Sequence, residues 1–489
     1  MRKIFIFSLV FIFISDFTYC QTVKLINKSD SGYRGIWYSN QPSNDEYVFK
    51  YSGGLGTYPA NHYPFSIYAP EVDKTFFCYG GTDSEGKTLL HMVSYFDHQS
   101  GMVPKPTIVM DKKTDDAHDN PVMNIDSEGY IWIFSTSHGV SRPSYISRSK
   151  KPFDISEFEL VDASKLENGE EVPLDNFSYL QTYFVDGDGF LNLFTHYDRD
   201  VIPGQNSKPR RTISFMTSED GFHYSGWKDI ATIQEGHYQT SGIQGSKIAS
   251  SFNFHPILEK ESGLNFRTNL YYLETTDFGD SWQTAGGEDL LLPLKEKETP
   301  ALVVDYESQG LLVYINDLNF DAEGNPVILF VTSKGYESGP KNDPRTWRTA
   351  RFTGTEWEIL PMTESDNNYD MGSLYIDKKG TWRVIGPTAK GPQVYNTGGE
   401  MELWTSKNQG ESWKVKSITR NSEYNHTYAR RPLNTHPEFF AFWADGHGRE
   451  KSVSRLYFCD SKGKVYQLPI KMNGDFAKPL RVKPKKSKN

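Results

Sequence analysis

Short turn-forming sequences recur along most of the chain, and this repetition restricts the fold more than any other feature. They are Pro70–Asp73, Asp126–Gly129, Asp186–Gly189, the region near Gln244 and Gly245, Asp321–Gly324, Asp377–Gly380 and Asp445–Gly448. The intervals are roughly sixty residues, a spacing of the kind that propeller repeats show. Most are followed by apolar, β-branched or aromatic residues, as expected of hairpins. We therefore predict an all-β, seven-bladed β-propeller of four-stranded antiparallel blades, a ring without long exposed edges.

Three later turns share a second pattern. They are Thr276–Trp282, Ser406–Trp413 and the looser Ser218–Gly221. They resemble the Asp-box turns of sialidase-type propellers, in which an Asp or Asn side chain caps the turn and a Trp packs under it. We expect these turns to join the third and fourth strands of their blades and to be structural.

Composition and charge narrow the possible partners. The chain has 489 residues, 14% aromatic, with 40 Gly and 26 Pro, which suits a large β-rich protein. The formal net charge of −9 gives no indication of nucleic acid or of an acidic membrane surface as a partner. A polyanionic substrate would therefore need a local basic patch.

The first twenty residues are typical of a secretory signal peptide. Arg2 and Lys3 precede the apolar run Ile4–Ile14, which is too short for a useful membrane anchor. We predict cleavage after Cys20, which leaves residues 21–489 as one propeller domain, exported to the periplasm or secreted and not inserted in a membrane. Lipidation of Cys20 is the alternative. Cys78 and Cys459 then either pair or stay buried as free thiols.

The hairpin around Asp126–Gly129 is flanked by two histidines. His118 stands before its first strand and His138 after its second, so the two imidazoles should meet at one rim. In a propeller, the entry to the first strand and the exit from the second share the face of the central funnel. The predicted entries carry His62, His118, His237, Tyr369 and His436, and third strands begin near Arg142, Arg210, Arg211 and Arg267.

Histidine, tyrosine and arginine without a paired-carboxylate motif suit β-elimination from a uronic acid better than glycoside hydrolysis. A cation neutralises the carboxylate so that the C5 proton can be removed. A histidine takes that proton, and a tyrosine or second histidine protonates the leaving oxygen at C4. Each of these residues, taken alone, is also consistent with a purely structural role. Tyr183, for example, lies inside the predicted strand Leu180–Val185, where its side chain would pack in the core.

A family resemblance rests on these residues: His118, His138, Tyr183 in Gln181–Phe184, Arg199 in His196–Arg199, and Tyr238 in Gly236–Gln239. Their order and spacing resemble the seven-bladed ulvan lyases of polysaccharide lyase family 25, with family 24 more distant. The resemblance implies that His118 and Tyr183 form the acid/base pair and that Arg199 neutralises the uronate. It also implies that His138 and Tyr238 complete the pocket. Arg267 is the candidate for a second contact to carboxylate or sulfate.

The resemblance also implies a substrate and the product of its cleavage. The substrate is ulvan, a polymer of 3-sulfated rhamnose and uronic acids, and the product ends in a 4,5-unsaturated uronate. No cofactor is expected for catalysis. A structural metal ion is possible, but no Cys/His cluster in the sequence specifies one. We expect a monomer.

Two other functions remain open at this point. One is an α-L-rhamnosidase acting on rhamnose-glucuronate linkages, with His62 as the candidate residue, and the other is a non-catalytic glycan-binding propeller. The sequence also leaves open which of His118 and Tyr183 is the base, the preference between glucuronate and iduronate, and endo or exo cleavage.

Overall fold

The structure, a computed structural model, describes residues 23–55, 61–140, 142–198 and 209–484. The predicted signal peptide and Arg199 lie outside these ranges. The predicted all-β fold is confirmed, since the regular elements are strands apart from short 3-10 helices, among them Ala117–Asp119, Gly263–Phe266 and Pro340–Asn342. No helix within the described ranges is long and apolar enough to cross a membrane.

The first part of the chain forms one blade and a separate hairpin. The strands are β1 Lys28–Ser29, β2 Tyr38–Pro42, β3 Phe49–Gly53, β4 Ser66–Ala69, β5 Lys74–Thr82, β6 Leu89–Asp97, β7 Val103–Pro104 and β8 Thr107–Asp111. The first blade has the order β4-β5-β6-β8-β1, and β2 and β3 form a separate two-stranded sheet.

Two further blades and a small extra sheet follow. The strands are β9 Pro121–Ile125, β10 Ile131–Ser135, β11 Tyr145–Ser149, β12 Phe158–Val161, β13 Ser164–Glu167, β14 Glu170–Pro173, β15 Ser178–Val185, β16 Gly189–Asp198, β17 Arg210–Ser218, β18 His223–Tyr224 and β19 Lys228–Ala231. The blades are β9-β10-β11-β12 and β15-β16-β17-β19, and the extra sheet is β14-β13-β18.

The next three blades use consecutive strands. These are β20 Gln239–Gln244, β21 Lys247–Phe254, β22 Thr268–Thr275 and β23 Leu302–Val304, then β24 Leu312–Phe320, β25 Pro326–Ser333, β26 Arg345–Phe352 and β27 Trp357–Ser365, then β28 Ser373–Ile376, β29 Trp382–Ala389, β30 Glu400–Ser406 and β31 Lys414–Ser417.

The last blade closes the ring against the first. Its strands are β32 Asn425–Arg430, β33 Ala441–Gly446, β34 Leu456–Cys459, β35 Val465–Gln467 and β37 Leu480–Val482, while β36 Phe476–Ala477 pairs with β7. A parallel β-bridge between Ile67, in β4 of the first blade, and Leu433, after β32 of the last blade, joins the two blades directly. Phe77 of the first blade packs on Phe442 of the last, with ring centroids 5.2 Å apart. The first and last blades therefore meet at one seam.

The predicted number of seven blades is not confirmed. The described residues contain eight sheets of three or more strands, of which seven have four or five strands and one has three. The three-stranded sheet is built on the hairpin β13–β14, whose turn residues Asn168 and Gly169 both have positive φ. Asn-Gly is the strongest short hairpin signal in a sequence. The sequence prediction treated the chain as a simple repeat of blades and did not include this additional hairpin.

Most of the predicted turns fall where the repeat placed them, because an Asp side chain can cap its own turn. Asp126 Oδ1 accepts hydrogen bonds from the backbone amides of Glu128 (3.1 Å) and Tyr130 (2.8 Å). Of the Asp-box turns, the one after β22 puts Trp282 in the core at 3% exposure. All three Asp-box turns follow the third strand of a blade, as expected.

The seventh predicted turn is wrong. Asp445 and Gly446 end β33, the second strand of the last blade, and the connection between its first and second strands is the loop 431–440. His436 therefore lies after a first strand, on the rim opposite to the one predicted. The two cysteines, Cys78 and Cys459, are buried free thiols.

Candidate active site

Asp116, His118 and His138 form one hydrogen-bonded group. The 3-10 turn Ala117–Asp119 precedes β9, and His138 follows β10. The two imidazole rings are stacked, with centroids 4.0 Å apart and planes at 15°. Asp116 binds both rings, through Oδ1 to Nδ1 of His118 at 2.6 Å and through Oδ2 to Nδ1 of His138 at 2.7 Å. The structure thus brings together the histidines that the hairpin placed at one rim.

The carboxylate sets the chemical state of both rings. Burial alone would raise the pKa of Asp116, but the hydrogen bonds from His118 and His138 hold that pKa well below its usual range. An ionised carboxylate only accepts, so each Nδ1 carries a proton and Nε2 is the nitrogen able to take one up. Burial, followed by the charge of His138, lowers the pKa of His118, so this ring is a neutral base near neutral pH.

Arg142 ties the group to the strands beneath it. Its guanidinium donates to Asp116 Oδ2 at 2.8 Å and to both oxygens of Asp119, with Nε at 2.7 Å from Oδ2. Lys112 lies 3.7 Å from the same Asp119 carboxylate, and burial lowers the pKa of Lys112 to about 8. These paired charges hold Asp116 in position.

Asp116, His118 and His138 also meet the geometric condition for a metal site, since each offers one ligand atom and these atoms lie within 4.8 Å of one another. Both Asp116 oxygens already accept bonds from the ring nitrogens, and the distances of 2.6 and 2.7 Å are those of charge-assisted hydrogen bonds. The contacts therefore fit proton transfer directly.

Two tyrosines contact His118. The hydroxyl of Tyr38, on β2, lies 2.8 Å from His118 Nδ1. The ring of Tyr179 lies 6.0 Å from that of His118, and it stands perpendicular to Tyr238 at 5.5 Å. Tyr179 has a φ of +50°, and β15 changes register between Ser178 and Gln181. Such irregular backbone re-aims a side chain at functional sites.

Tyr183 does not reach this group. Its side chain is buried, its hydroxyl is hydrogen-bonded to Ser241 Oγ at 2.8 Å, and its ring packs on Tyr63 with centroids 6.2 Å apart. It lies four residues beyond Tyr179 on the same strand, or ~13 Å at ~3.3 Å per residue. The structure therefore separates the predicted pair of His118 and Tyr183, and Tyr179 takes the position beside the histidine.

A buried cation lies beside Tyr238. Arg267 is 2% exposed, and its guanidinium lies 4.7 Å from the ring of Tyr238 and 4.8 Å from that of Tyr314. Its NH2 donates to the hydroxyl of Tyr369 at 3.2 Å. The predicted pocket residues Tyr238 and Arg267 are therefore in direct contact.

Lys50 and Arg211 lie near Arg267. Burial and then the charges of Arg267 and Arg211 lower the pKa of Lys50 well below its usual value. The same two arginines, after burial, lower the pKa of His255, whose ring nitrogens have no hydrogen-bond partner among the described residues. An anion bound here would stabilise the charged forms of these buried groups.

His62, the residue named for the rhamnosidase alternative, lies beneath the site. It is fully buried, and its Nε2 is 3.1 Å from the backbone oxygen of His118 and 3.3 Å from Thr136 Oγ1. Its ring also lies 5.4 Å from that of Tyr179, so His62 packs beneath both His118 and Tyr179.

Fold and site together define a β-propeller in which a histidine-carboxylate group is connected through Tyr179 and Tyr238 to a buried arginine. Residues 92–365 match the BNR repeat-containing family. That match covers more than half of the chain, and the chain belongs to this family.

The chain is similar to two curated ulvan lyases. The ulvan lyase PL25 of Pseudoalteromonas sp. (strain PLSV) is 24% identical over 283 residues, which cover 51% of this chain and 54% of the relative. The alignment thus spans about half of that relative's length. An ulvan lyase of Alteromonas sp. (strain LOR) is 24% identical over 382 residues, 72% of this chain and 73% of the relative.

A solved structure has the same fold. It is a polysaccharide lyase PL25 ulvan lyase bound to -[GlcA(1-4)Rha3S]-, with a TM-score of 0.65 and 18% identity. The superposition covers 89% of this chain and 96% of that one. At this identity the likeness shows the architecture only.

Proposed function

We propose that the protein is a polysaccharide lyase that cleaves ulvan between 3-sulfated rhamnose and a uronic acid by β-elimination. The single observation that carries this proposal is the Asp116 carboxylate bound to both His118 and His138, with the rings of Tyr179 and Tyr238 connecting this group to the buried Arg267. The first group can remove a proton, and the second can hold an anionic sugar. The similarity to two ulvan lyases supports the choice of substrate.

In the proposed reaction, His118 Nε2 takes the C5 proton of the uronate. The C–H electron pair becomes the C4–C5 double bond, and the bond from C4 to the glycosidic oxygen breaks. Tyr179, beside His118, donates its hydroxyl proton to that oxygen, so that rhamnose leaves as an alcohol. The proton count balances because one group gains what the other loses.

The proposed role of the cations is to make C5 acidic enough to lose its proton. Arg211 and Arg267 neutralise the carboxylate, so that negative charge developing at C5 is stabilised. Burial opposes the charge on Arg211, but nearby tyrosines and Glu235 raise the pKa of its guanidinium, and it stays charged throughout. Arg199, which lies outside the described residues, remains a further candidate for this role.

We also propose that the ring proper has seven blades. The support is that seven sheets have four or five strands, whereas the eighth is a hairpin joined to the two-residue strand β18.

Absorbance tests the reaction directly. A 4,5-unsaturated uronate absorbs near-ultraviolet light, and a hydrolysis product does not. Incubation of the protein with ulvan should give a steady rise in that absorbance, together with shorter chains. Shorter chains without the rise would identify a hydrolase, and retention on immobilised ulvan with neither change would identify a binding protein.

A further inference from the structure

A second group of histidine and carboxylate side chains lies away from the candidate active site. The loop 431–440 of the last blade carries His436 and Glu438, and His98 follows β6 of the first blade. The two imidazole rings have centroids 3.7 Å apart, and His98 Nδ1 lies 3.3 Å from Glu438 Oε2.

This group is on the opposite rim from His118. His118 precedes β9, the first strand of its blade, whereas His436 comes after β32, the first strand of the last blade. His98 follows β6, which runs parallel to β4 because both pair antiparallel with β5. The exits of first and third strands share one rim, and the entries share the other. The two groups are therefore separate sites.

The geometry of the three residues suits a metal ion. Each offers one ligand atom, and the three atoms lie within 4.8 Å of one another. Ligands about 2.1 Å from a tetrahedral zinc ion are ~3.4 Å apart. The spacing of 3.3 Å between His98 Nδ1 and Glu438 Oε2 is already that of a tetrahedral edge.

Neighbouring residues orient both rings. Thr75 Oγ1 lies 2.9 Å from His98 Nε2 and can accept its proton, which leaves the lone pair of Nδ1 for a metal. The ring of Tyr68 contacts both histidines, at 5.4 Å from His98 and 4.7 Å from His436. His436 Nδ1 accepts a long bond of 3.2 Å from the Glu438 amide, and a metal on Nδ1 would replace that bond.

We propose that His98, His436 and Glu438 bind one divalent transition-metal ion, with Zn²⁺ as the best match. Two imidazole nitrogens and one carboxylate oxygen are ligands that zinc prefers, with water as the fourth. Calcium and magnesium prefer sets made of oxygen atoms. The site lies outside the candidate active site, so it does not depend on the proposed function.

The position of the site gives the metal a structural effect. His98 belongs to the first blade and His436 to the last, beside the seam where Leu433 N donates to Ser66 O at 2.9 Å. A metal bound by both blades would link them across this seam. An ion that binds the folded state and not the unfolded chain raises stability by mass action.

Zinc binding to the untagged full chain tests the site. After removal of metals with a chelator, titration calorimetry and metal analysis should find Zn²⁺ bound at this group, with Ca²⁺ and Mg²⁺ failing to compete. Zinc should also raise the Tm by about 2 °C or more. Glu438→Gln, which replaces the exposed ligand, should weaken zinc binding by roughly tenfold or more. Loss of a residue that merely orients a metal ligand already costs about tenfold in affinity. His436→Ala should abolish this binding.

His223→Ala is the matched control. His223 is an exposed histidine that is also bonded to a carboxylate, that of Asp220 at 2.8 Å, but it belongs to none of the metal-ligand groups found among the described residues. This variant should bind zinc like the parent protein. Absence of zinc binding by the parent protein would overturn the proposal. So would binding that persists in His436→Ala and disappears in His118→Ala, since the metal would then belong to the Asp116 group.

Discussion

Asp116 and His118 are joined twice, because Asp116 Oδ1 accepts from the backbone amide of His118 at 3.0 Å and from its ring Nδ1 at 2.6 Å. The first bond fixes the turn before β9, and the second fixes the tautomer of the imidazole. One carboxylate oxygen therefore sets both where the proposed base lies and which nitrogen is basic. The other oxygen does the same for the ring of His138.

Asp116→Asn should lower kcat by about 10²-fold, the lower end of what a general base contributes. The Asp116 charge raises the pKa of His118, so its removal lowers that pKa further. The base must be neutral to act, and the acidic limb of the pH-rate profile should therefore move to lower pH. Initial rates on ulvan across the pH range measure both effects.

Asp115→Asn is the control for this prediction, because Asp115 is the adjacent, exposed carboxylate. It should leave kcat and the pH profile unchanged. An Asp116→Asn protein that keeps its rate and its profile would show that the carboxylate does not tune His118.

Arg267→Lys should reduce kcat/KM on ulvan by about tenfold or more. Lysine keeps the charge but loses the planar group that stacks on Tyr238 and Tyr314 and donates to Tyr369. Arg148 also stacks on an aromatic ring, that of Tyr130 at 3.7 Å, on the outer part of another blade. Equal losses in Arg148→Lys and Arg267→Lys would indicate a general packing effect instead of substrate binding.

Trp282→Ala should cost about 3–5 kcal/mol of unfolding free energy, as for other buried aromatic residues. Its ring packs on Phe215 with centroids 5.2 Å apart. Trp413, at the equivalent turn of a later blade, is only half-buried, and its replacement by alanine should cost less. Denaturant unfolding of both variants measures the difference. A smaller loss for Trp282→Ala than for Trp413→Ala would contradict the assigned packing.

Local chemistry explains which parts of the fold were predictable. An aspartate such as Asp126 or Asp377 caps its own turn through backbone amides two and four residues later, so the turn can be identified from adjacent residues. The meeting of His118 and His138 follows from the same hairpin. The loop 431–440 contains no aspartate that caps a turn in this way, so the prediction placed the last turn at Asp445 instead.

Which tyrosine lies beside His118 could not be predicted from the neighbouring sequence. Tyr179 and Tyr183 lie on one strand, and both are buried. Their different surroundings come from the register change after Ser178 and the positive φ of Tyr179, which depend on packing against other blades. The role of Asp116, in contrast, could have been predicted from the sequence. An aspartate two residues before a histidine can cap the turn that contains the histidine.

The comparison of Tyr179→Phe with Tyr183→Phe tests the proposed elimination most directly. Each change removes a single hydroxyl, and the measurement is the initial rise in near-ultraviolet absorbance on ulvan at equal concentrations of folded protein. Tyr179→Phe should lose at least about 10²-fold in rate while the protein stays folded. Tyr183→Phe should keep its rate and lose about 1 kcal/mol of stability with the hydrogen bond to Ser241. Full activity in Tyr179→Phe, with activity lost in Tyr183→Phe, would contradict the site described here.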